Sequence, residues 1–381
     1  MTSDKFKKIE ELISQKDKTF IIFHDTETTG VSQTDRILQS AHTLYELKGD
    51  KLVFHDYVEE NIMPPVEIGP MSASIHGIWY PDLEGCPVFA DSETLKYFDI
   101  FIQHRVYYCA HNSDFDISQL EKEGVNYPTE LVIDTLQIAK LFNKDNPKID
   151  SNGLQYLRYY YNFDMQSDFT DFLSDYNIVK LQPHTALSDI AVLGYYFIEL
   201  MKAKVFSDFD EAVVMSNTPS ISPELGFQKQ FPKGTPLPEI ITGSYKQGTN
   251  TKRGIDYLNW AMTKMATLAP DNKLAIAHYT MEAVANEDIS LTDKAITPMK
   301  AVAAAFLPEF HELLRSSGYE VERVKDKTLQ MIQDNVLNIE ANGLQDDRDA
   351  GYSSLKKMLK YAKVGEIADL IKRNKTKAAE G

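Results

Sequence analysis

The sequence is poor in cysteine and lacks long apolar runs. Its only cysteines, Cys86 and Cys109, lie far apart without companion ligands at zinc spacing, so neither a disulfide framework nor a zinc site is expected. No stretch of about 18 apolar residues occurs, and the start, MTSDKFKKIEELISQ, lacks the apolar core of a secretory signal. We therefore expect a cytoplasmic protein with no membrane partner.

A positive net charge is also lacking. The chain has 40 Lys and Arg residues against 56 Asp and Glu residues, which gives a formal net charge of −16. This balance argues against a protein that grips long duplex DNA through a broad basic surface, because such binding is driven by phosphate neutralisation and counterion release. It is compatible with an enzyme that takes one strand end into a carboxylate site whose charge a divalent metal neutralises.

Strand-like and helix-like segments alternate in the first half of the chain. Three consecutive segments predict a meander of strands, TFIIFHDTE, ILQSAHTLYEL and KLVFHDYVEE. Two further strands, VYYCA and LVID, alternate with helical segments, and the helical segment ALSDIAVLGYYFIELMKAK ends this part of the chain. The order predicts a mixed sheet with flanking helices in a domain of residues 1–205.

The composition changes after this domain. A linker is predicted at residues 206–224, where the stretch SNTPSISPE is rich in Ser and Pro. Residues 225–285 predict a small second module, with an apolar helix around DYLNWAMTKMATLA. Residues 286–381 are predicted to form a helical region, to which the sequence assigns no role.

The motif DTETTG lies at the end of the first predicted strand. Its acids, Asp25 and Glu27, are two residues apart and therefore point to the same face of the strand. Two carboxylates held that close repel each other, and such pairs usually exist because a cation binds them. Taken alone, the motif fits solvated acids at a strand end equally well.

Two further acidic motifs begin helices. In HNSDFD, Asn112 or Asp114 could cap the helix, whereas Asp116 lies inside it, where a capping role is less natural. In HTALSD, five helical residues would place His184 and Asp189 about 140° apart on a regular helix, so they could not converge from one. We therefore predict His184 on the preceding loop and Asp189 in the first turns of the helix.

In this order and at these positions, the three motifs resemble those of the DEDDh (DnaQ-like) 3′→5′ exonucleases. The resemblance runs from about Thr19 to Lys204 and includes SIHGI, IDT and SNGLQYLRYYYNFD; the layout is nearest to exonuclease X-like proteins. It implies a ribonuclease H-like fold with a mixed five-stranded sheet. It also implies hydrolysis with two divalent metal ions, Mg²⁺ or Mn²⁺ as a substitute.

The resemblance assigns roles to individual residues. The metal ligands it implies are Asp25, Glu27, Asp116 and Asp189. His184 would accept the proton of the attacking water. The terminal nucleotide would contact Thr28, His76 and Phe115, although these could instead be a strand-end filler, a loop residue and a core residue.

One stretch of the second half is basic. Residues 226 to 254 contain five basic side chains and one acid, together with several aromatic rings. The segment is similar to the module that follows the nuclease domain in exonuclease X-like proteins, but it has Gln228 where those have glycine and an insertion near residues 241–253. Cations mixed with aromatics predict a strand-binding surface, and a charged loop over a small core is the alternative. The candidates for nucleic-acid binding are Lys229, Lys233, Lys252 and Arg253.

Taken together, the sequence predicts a phosphodiester hydrolase that removes nucleotides from 3′ ends, with single-stranded DNA or a DNA end as substrate. An RNA-trimming enzyme is the nearest alternative, since the same kind of site cleaves both polymers and no residue pattern in the sequence unambiguously indicates recognition of the 2′-hydroxyl. A catalytically idle, polymerase-associated adaptor is the other. The complete set of four acids and a histidine argues against it, because an idle site has no need of mutually repelling carboxylates.

Overall fold

A computed structural model describes residues 2–32, 34–144, 146, 148–176, 178, 180–225, 230–232, 234–265, 268–341 and 351–380. The chain divides into two compact units. The first comprises Met1–Ser216 together with Ile367–Gly381, and the second comprises Asn217–Glu366. Among the described residues, no helix is both long and apolar enough to cross a membrane.

The first unit contains a five-stranded sheet. Its strands are β1 (Thr19–Thr28), β2 (Ile37–Lys48), β3 (Lys51–Asn61), β4 (Tyr107–Ala110) and β5 (Val132–Asp134). Their spatial order is β3-β2-β1-β4-β5, with β1, β2 and β3 antiparallel and both β4 and β5 parallel to β1. The predicted mixed five-stranded sheet with flanking helices is confirmed.

The apolar sequence of β1 explains why the sheet is covered on both faces. Ile21 and Phe23 enter one hydrophobic core, whereas Phe20 and Ile22 enter a second core on the other face. A strand that is buried on both sides consists of consecutive apolar residues, as FIIF does here. Packing on both faces thereby fixes the position of the central strand.

Helices surround this sheet. Those of the first unit are α1 (Thr2–Ile13), α2 (Pro70–His76), α3 (Tyr80–Leu83), α4 (Glu93–Gln103), α5 (Ser113–Lys122), α6 (Thr135–Asn143), α7 (Leu154–Tyr160), α8 (Ser167–Ser174), α9 (Ala186–Lys202) and α10 (Phe209–Ser216). Short 3₁₀ turns occur at Phe89–Asp91, Thr129–Leu131 and Phe163–Met165. Helix α9 packs on the face of the sheet that contains Ile21 and Phe23.

The first unit extends beyond the predicted limit at residue 205 and includes part of the predicted linker. Helix α10 buries Phe209 and Val213 in the same core as α9, and the Asp134 N–H of β5 donates to Ser216 Oγ at 2.7 Å. The last helix, whose Ile367 and Ile371 pack into this core, also contributes to the first unit.

The described part of the second unit is helical apart from one hairpin. Its elements are α11 (Leu237–Thr242), β6 (Ser244–Gln247), β7 (Asn250–Arg253), α12 (Gly254–Lys264), α13 (Pro270–Ala285), α14 (Thr297–Phe306), α15 (His311–Ser316), α16 (Val321–Ala341) and α17 (Tyr352–Ala362), with 3₁₀ turns at Lys294–Ile296 and Pro308–Phe310; α18 (Val364–Glu380) follows. The predicted module at 225–285 and the helices that follow share one hydrophobic core, to which both Leu258 and Met299 belong.

Candidate active site

Three carboxylates meet at the end of β1. Asp25 and Glu27 project from β1 on the face that α9 covers, and Asp189 lies in the first turn of α9. Each of the three offers one carboxylate oxygen, and these atoms all lie within 4.8 Å of one another. The strand supplies two acids through its two-residue alternation, and the helix packed on it supplies the third.

A fourth carboxylate, Asp116, is held beside them by β1 itself. The Thr26 N–H and the Thr26 hydroxyl both donate to Asp116 Oδ1, at 3.1 and 2.8 Å. Asp116 lies in the first turn of α5 and is buried. Asn112 occupies the N-cap position of this helix, but its side chain makes no capping hydrogen bond. Because β4 is parallel to β1, the helix that follows β4 begins next to the acids of β1.

The four acids oppose each other's ionisation. Burial raises the pKa of Asp25 well above its usual range, and the neighbouring charges of Asp116 and Asp189 raise it further. Burial, followed by the charges of Asp189 and Asp116, raises the pKa of Glu27 to about 8. Burial raises the pKa of Asp116 to about 7, although the hydrogen bonds from Thr26 oppose the increase. Such a cluster ionises fully at neutral pH only when cations neutralise it.

His184 lies on the loop immediately before α9 and is exposed. Its backbone has a φ of 62°, a left-handed conformation that places the histidine outside the helix. The backbone N–H of His184 donates to the Asp189 carboxylate, so the loop and the helix end are joined at this point. An exposed imidazole next to half-buried carboxylates is accessible to a substrate that enters from solvent.

All four carboxylates and His184 lie within residues 22–197, which match a family model described as Exonuclease. This segment is an exonuclease domain. The chain is therefore an enzyme of the exonuclease class, as the sequence predicted, and exonucleases of this type depend on divalent metal.

Solved structures similar to this chain are also exonucleases. Exonuclease X in complex with 5′ overhanging duplex DNA is 21% identical, with a TM-score of 0.37, over 51% of this chain and 99% of that one. E. coli exonuclease I bound to a dT13 oligonucleotide is 13% identical over 49% of this chain and 42% of that one, with a TM-score of 0.38. Another exonuclease I structure is 13% identical over 92% of this chain and 99% of that one, with a TM-score of 0.40. No curated protein matches the chain.

The predicted nucleotide contacts lie around the acids of the exonuclease domain. Thr28 ends β1, where its hydroxyl donates to the Gly30 carbonyl at 2.6 Å. His76 is buried at the end of α2, its Nδ1 accepts the Ile78 N–H at 3.0 Å, and burial lowers its pKa while the Thr28 backbone opposes that shift. Phe115 is half-buried and directly precedes Asp116. Thr28 and His76 therefore lie together, and both already have local hydrogen bonds.

Sequence reasoning assigned no role to several polar side chains that hold the exonuclease domain's acids in place. Gln39 of β2 is buried, and its Oε1 accepts the Ala186 N–H at the start of α9 at 3.0 Å. Gln155 of α7 donates from Nε2 to Asp189 Oδ1 at 2.5 Å. The segment SNGLQYLRYYYNFD resembles the family, but nothing in its spacing shows that Gln155 reaches an acid on another helix.

The basic candidates of the second unit are only partly described. Lys252 and Arg253 lie exposed on β7. The Arg253 guanidinium pairs with Asp256 at 2.7 Å and Asp293 at 2.6 Å, so carboxylates already compensate its charge. Lys229 and Lys233 lie outside the described residues.

Proposed function

We propose that the exonuclease domain removes nucleotides one at a time from the 3′ ends of DNA and releases nucleoside 5′-monophosphates. The observation that carries this proposal is the set of four carboxylates around the end of β1, of which Asp116 is buried and the other three, half-buried, offer oxygens within 4.8 Å of one another. Cleavage of a phosphodiester requires stabilisation of negative charge, and a site of this kind achieves it with bound cations rather than with its own side chains.

The donor set fits Mg²⁺. All four side chains offer oxygen, which Mg²⁺ prefers, and Mn²⁺ accepts the same ligands. The raised pKa values of Asp25 and Glu27 support a bound cation at this site, because these acids repel each other when no cation neutralises them. Asp25, Glu27 and Asp189 would hold one ion, and Asp25 with Asp116 would hold the second. When bound, two divalent ions would acidify the attacking water and stabilise charge on the phosphoryl oxygens.

The chain's own groups would then guide the proton and the strand. His184 accepts the proton of the attacking water, for which its exposed position on the loop suits it. The water oxygen joins the phosphorus, and the bond from phosphorus to the 3′ oxygen breaks. The released nucleotide therefore carries a 5′-phosphate, and the shortened strand ends in a 3′-hydroxyl. Thr28, His76 and the ring of Phe115 would hold the terminal nucleotide in place.

We propose single-stranded DNA or a DNA end as substrate, because the net charge of −16 disfavours a broad grip on duplex DNA. Whereas the charge of Arg253 is already compensated by Asp256 and Asp293, the exposed cation Lys252, with Lys229 and Lys233, would contribute to capture of the strand. Their charge would attract phosphates without reading sequence.

The test uses DNA and RNA oligonucleotides of one sequence, labelled at the 5′ end and incubated with Mg²⁺ and then with EDTA. We expect a ladder that shortens from the 3′ end, faster for DNA, and no cleavage in EDTA. The matched control is Asp25→Asn, which keeps the side-chain shape and should abolish cleavage by folded protein.

A circular single strand should survive, so its rapid cutting would identify an endonuclease. Faster trimming of RNA would replace the DNA assignment, and no cleavage of either polymer would leave only a binding role.

A further inference from the structure

A chain of hydrogen bonds leads from Asp189 into the helix next to α9. Gln155 and Arg158 are three residues apart on α7 and therefore share one face. The Gln155 Nε2 donates to Asp189 Oδ1 at 2.5 Å, and the Arg158 guanidinium donates to Gln155 Oε1 at 3.2 Å. Arg158 also makes two hydrogen bonds to the Asp164 carboxylate, both at 2.9 Å. The hydrogen bonds thus connect a candidate metal ligand to a fork-like ion pair whose guanidinium is buried and whose carboxylate is exposed.

The Arg158 guanidinium and the Asp189 carboxylate, at the two sides of Gln155, fix its amide in one orientation. A guanidinium can only donate hydrogen bonds, so it must face the amide oxygen. A carboxylate without its proton can only accept them, so it must face the amide nitrogen. A reversed amide would place oxygen against the Asp189 carboxylate and nitrogen against Arg158, which costs two hydrogen bonds at once. Arg158 therefore determines which end of Gln155 reaches Asp189.

The ion pair itself is held rigidly. Arg158 is 7% exposed, and its two parallel hydrogen bonds to Asp164 define the plane of the guanidinium. Asn162, in the left-handed conformation with a φ of 52°, turns the chain after α7 so that the 3₁₀ turn brings Asp164 back to Arg158. The fork geometry suits arginine and not lysine, whose ammonium is a single point charge.

Asp189 needs such support more than the other acids do. Asp25 and Glu27 extend from the central strand, and Thr26 holds Asp116 through two hydrogen bonds. Asp189 comes from a different element, and its negative neighbours on β1 repel it whenever no cation is bound. A hydrogen-bond donor on the far side of its carboxylate counteracts this repulsion and holds Oδ1, which leaves Oδ2 for an ion.

We infer that Gln155 is a positioning residue for Asp189, and that Arg158 and Asp164 act through it by orienting its amide. This inference rests on the proposed function of Asp189 as a metal ligand. Hydrogen bonds that orient metal ligands typically change metal affinity by about 10- to 100-fold when they are removed. The competing explanation is that the ion pair of Arg158 and Asp164 only stabilises the turn after α7.

The experiment measures Mn²⁺ binding to the full-length protein by calorimetry, without substrate. Gln155→Leu, which keeps the approximate volume but cannot donate, should weaken binding about tenfold. Gln155→Asn, whose amide falls short of Asp189, should cause a similar loss and serves if the leucine variant does not fold. Two matched controls are Gln103→Leu at the exposed end of α4 and Arg105→Lys at the opposite end of β4 from the acids. Both should bind Mn²⁺ as the unchanged protein does.

A double-mutant cycle separates positioning from simple stabilisation. Arg158→Lys should weaken Mn²⁺ binding in the unchanged protein but add no further loss in the Gln155→Leu background, because its effect passes through that amide. Equal losses in both backgrounds, or an effect of Gln155→Leu on Mn²⁺ affinity below about twofold, would overturn the inference. Failure of the proposed function looks different, since the unchanged protein would then bind no divalent ion and cleave no oligonucleotide.

Discussion

At the scale of single residues, His184 differs from the four carboxylates in its surroundings. It is exposed, no hydrogen bond joins its side chain to an acid of β1 among the described residues, and both its charge and its backbone N–H act to lower the pKa of Asp189. Its contribution should therefore be to the chemical step and not to metal binding. The left-handed backbone at this position tolerates asparagine better than alanine.

We expect His184→Asn to slow cleavage by about 100-fold at saturating Mg²⁺, because the amide cannot accept the proton of the attacking water. Mn²⁺ affinity should stay unchanged, since the backbone N–H that donates to Asp189 remains. The measurements are the single-turnover rate and a calorimetric titration with Mn²⁺. An unchanged rate would show that this histidine has no part in proton transfer.

The repulsion among the acids should be visible in the stability of the metal-free protein. Burial and neighbouring charge raise the pKa of Glu27 to about 8 and that of Asp116 to about 7. The folded state therefore keeps protons that the unfolded state, with carboxyl pKa values near 4, has already lost. It follows that the free energy of unfolding falls as the pH rises from about 4 to about 8.

Thermal melting in EDTA at several pH values tests this linkage. We expect the melting temperature to fall across that pH window and the loss to be largely reversed by Mg²⁺, which binds the ionised acids. Glu27→Gln should flatten the pH dependence in EDTA, because one titrating group is removed. A metal-free protein whose stability rises over the same window would show that the acids do not repel one another as described.

At the scale of elements, the position of Asp189 depends on how α9 meets the sheet. The first N–H groups of a helix have no partner within it, and Thr185 at the N-cap of α9 makes no side-chain capping bond. Gln39 accepts the Ala186 N–H instead, and its own amide nitrogen donates to Asn61 Oδ1 at 2.9 Å. A residue of β2 thus caps the helix that carries a candidate ligand.

We expect Gln39→Leu to lower the free energy of unfolding by about 1–3 kcal/mol, since it leaves the buried Ala186 N–H without a partner. It should also weaken Mn²⁺ binding, because the first turn of α9 is no longer fixed. Asn61→Ser is the control, as it removes the outer link and keeps the Gln39 oxygen for Ala186. Urea unfolding and calorimetry measure both quantities, and equal effects of the two variants would argue against capping by Gln39.

At the scale of the whole molecule, the exonuclease motifs are confined to the first unit. Every candidate catalytic group lies before Lys204, and the exposed basic hairpin strand β7 belongs to the second unit. The first unit is not continuous in sequence, however, because Ile367 and Ile371 of α18 pack into its core. A protein that ends at Ser216 loses these two side chains as well as the second unit.

We expect the protein truncated after Ser216 to cleave a saturating short oligonucleotide but to melt at a lower temperature and to capture long strands poorly. The advantage of the full-length protein on long strands should shrink as salt rises, because screening weakens attraction between cations and phosphates. Turnover of short and long substrates across a salt series measures this advantage.

The pair Ile367→Ala and Ile371→Ala in the full-length chain separates the loss of packing from the loss of the second unit. A folded truncated protein that cannot cleave the short substrate would show that the second unit contributes to catalysis.

The sequence by itself determined the local features of this protein. The apolar run before DTETTG requires a strand buried on both faces, and the two-residue spacing of Asp25 and Glu27 places both acids on one face of it. Side-chain periodicity therefore predicted the five strands, and the resemblance of the three motifs to a known family predicted the exonuclease class and the candidate ligands. These properties depend on residues that are close together in sequence.

Only the tertiary structure decided how distant segments meet. Packing of α9 on β1 brings Asp189 to Asp25 and Glu27, and packing of α7 beside α9 brings Gln155 to Asp189. It also decided that α10 belongs to the first unit and that the helices after residue 285 share a core with those before it. The physical reason is that hydrogen bonds and burial between elements far apart in the chain depend on how whole helices and sheets pack, which the local pattern of residues does not encode.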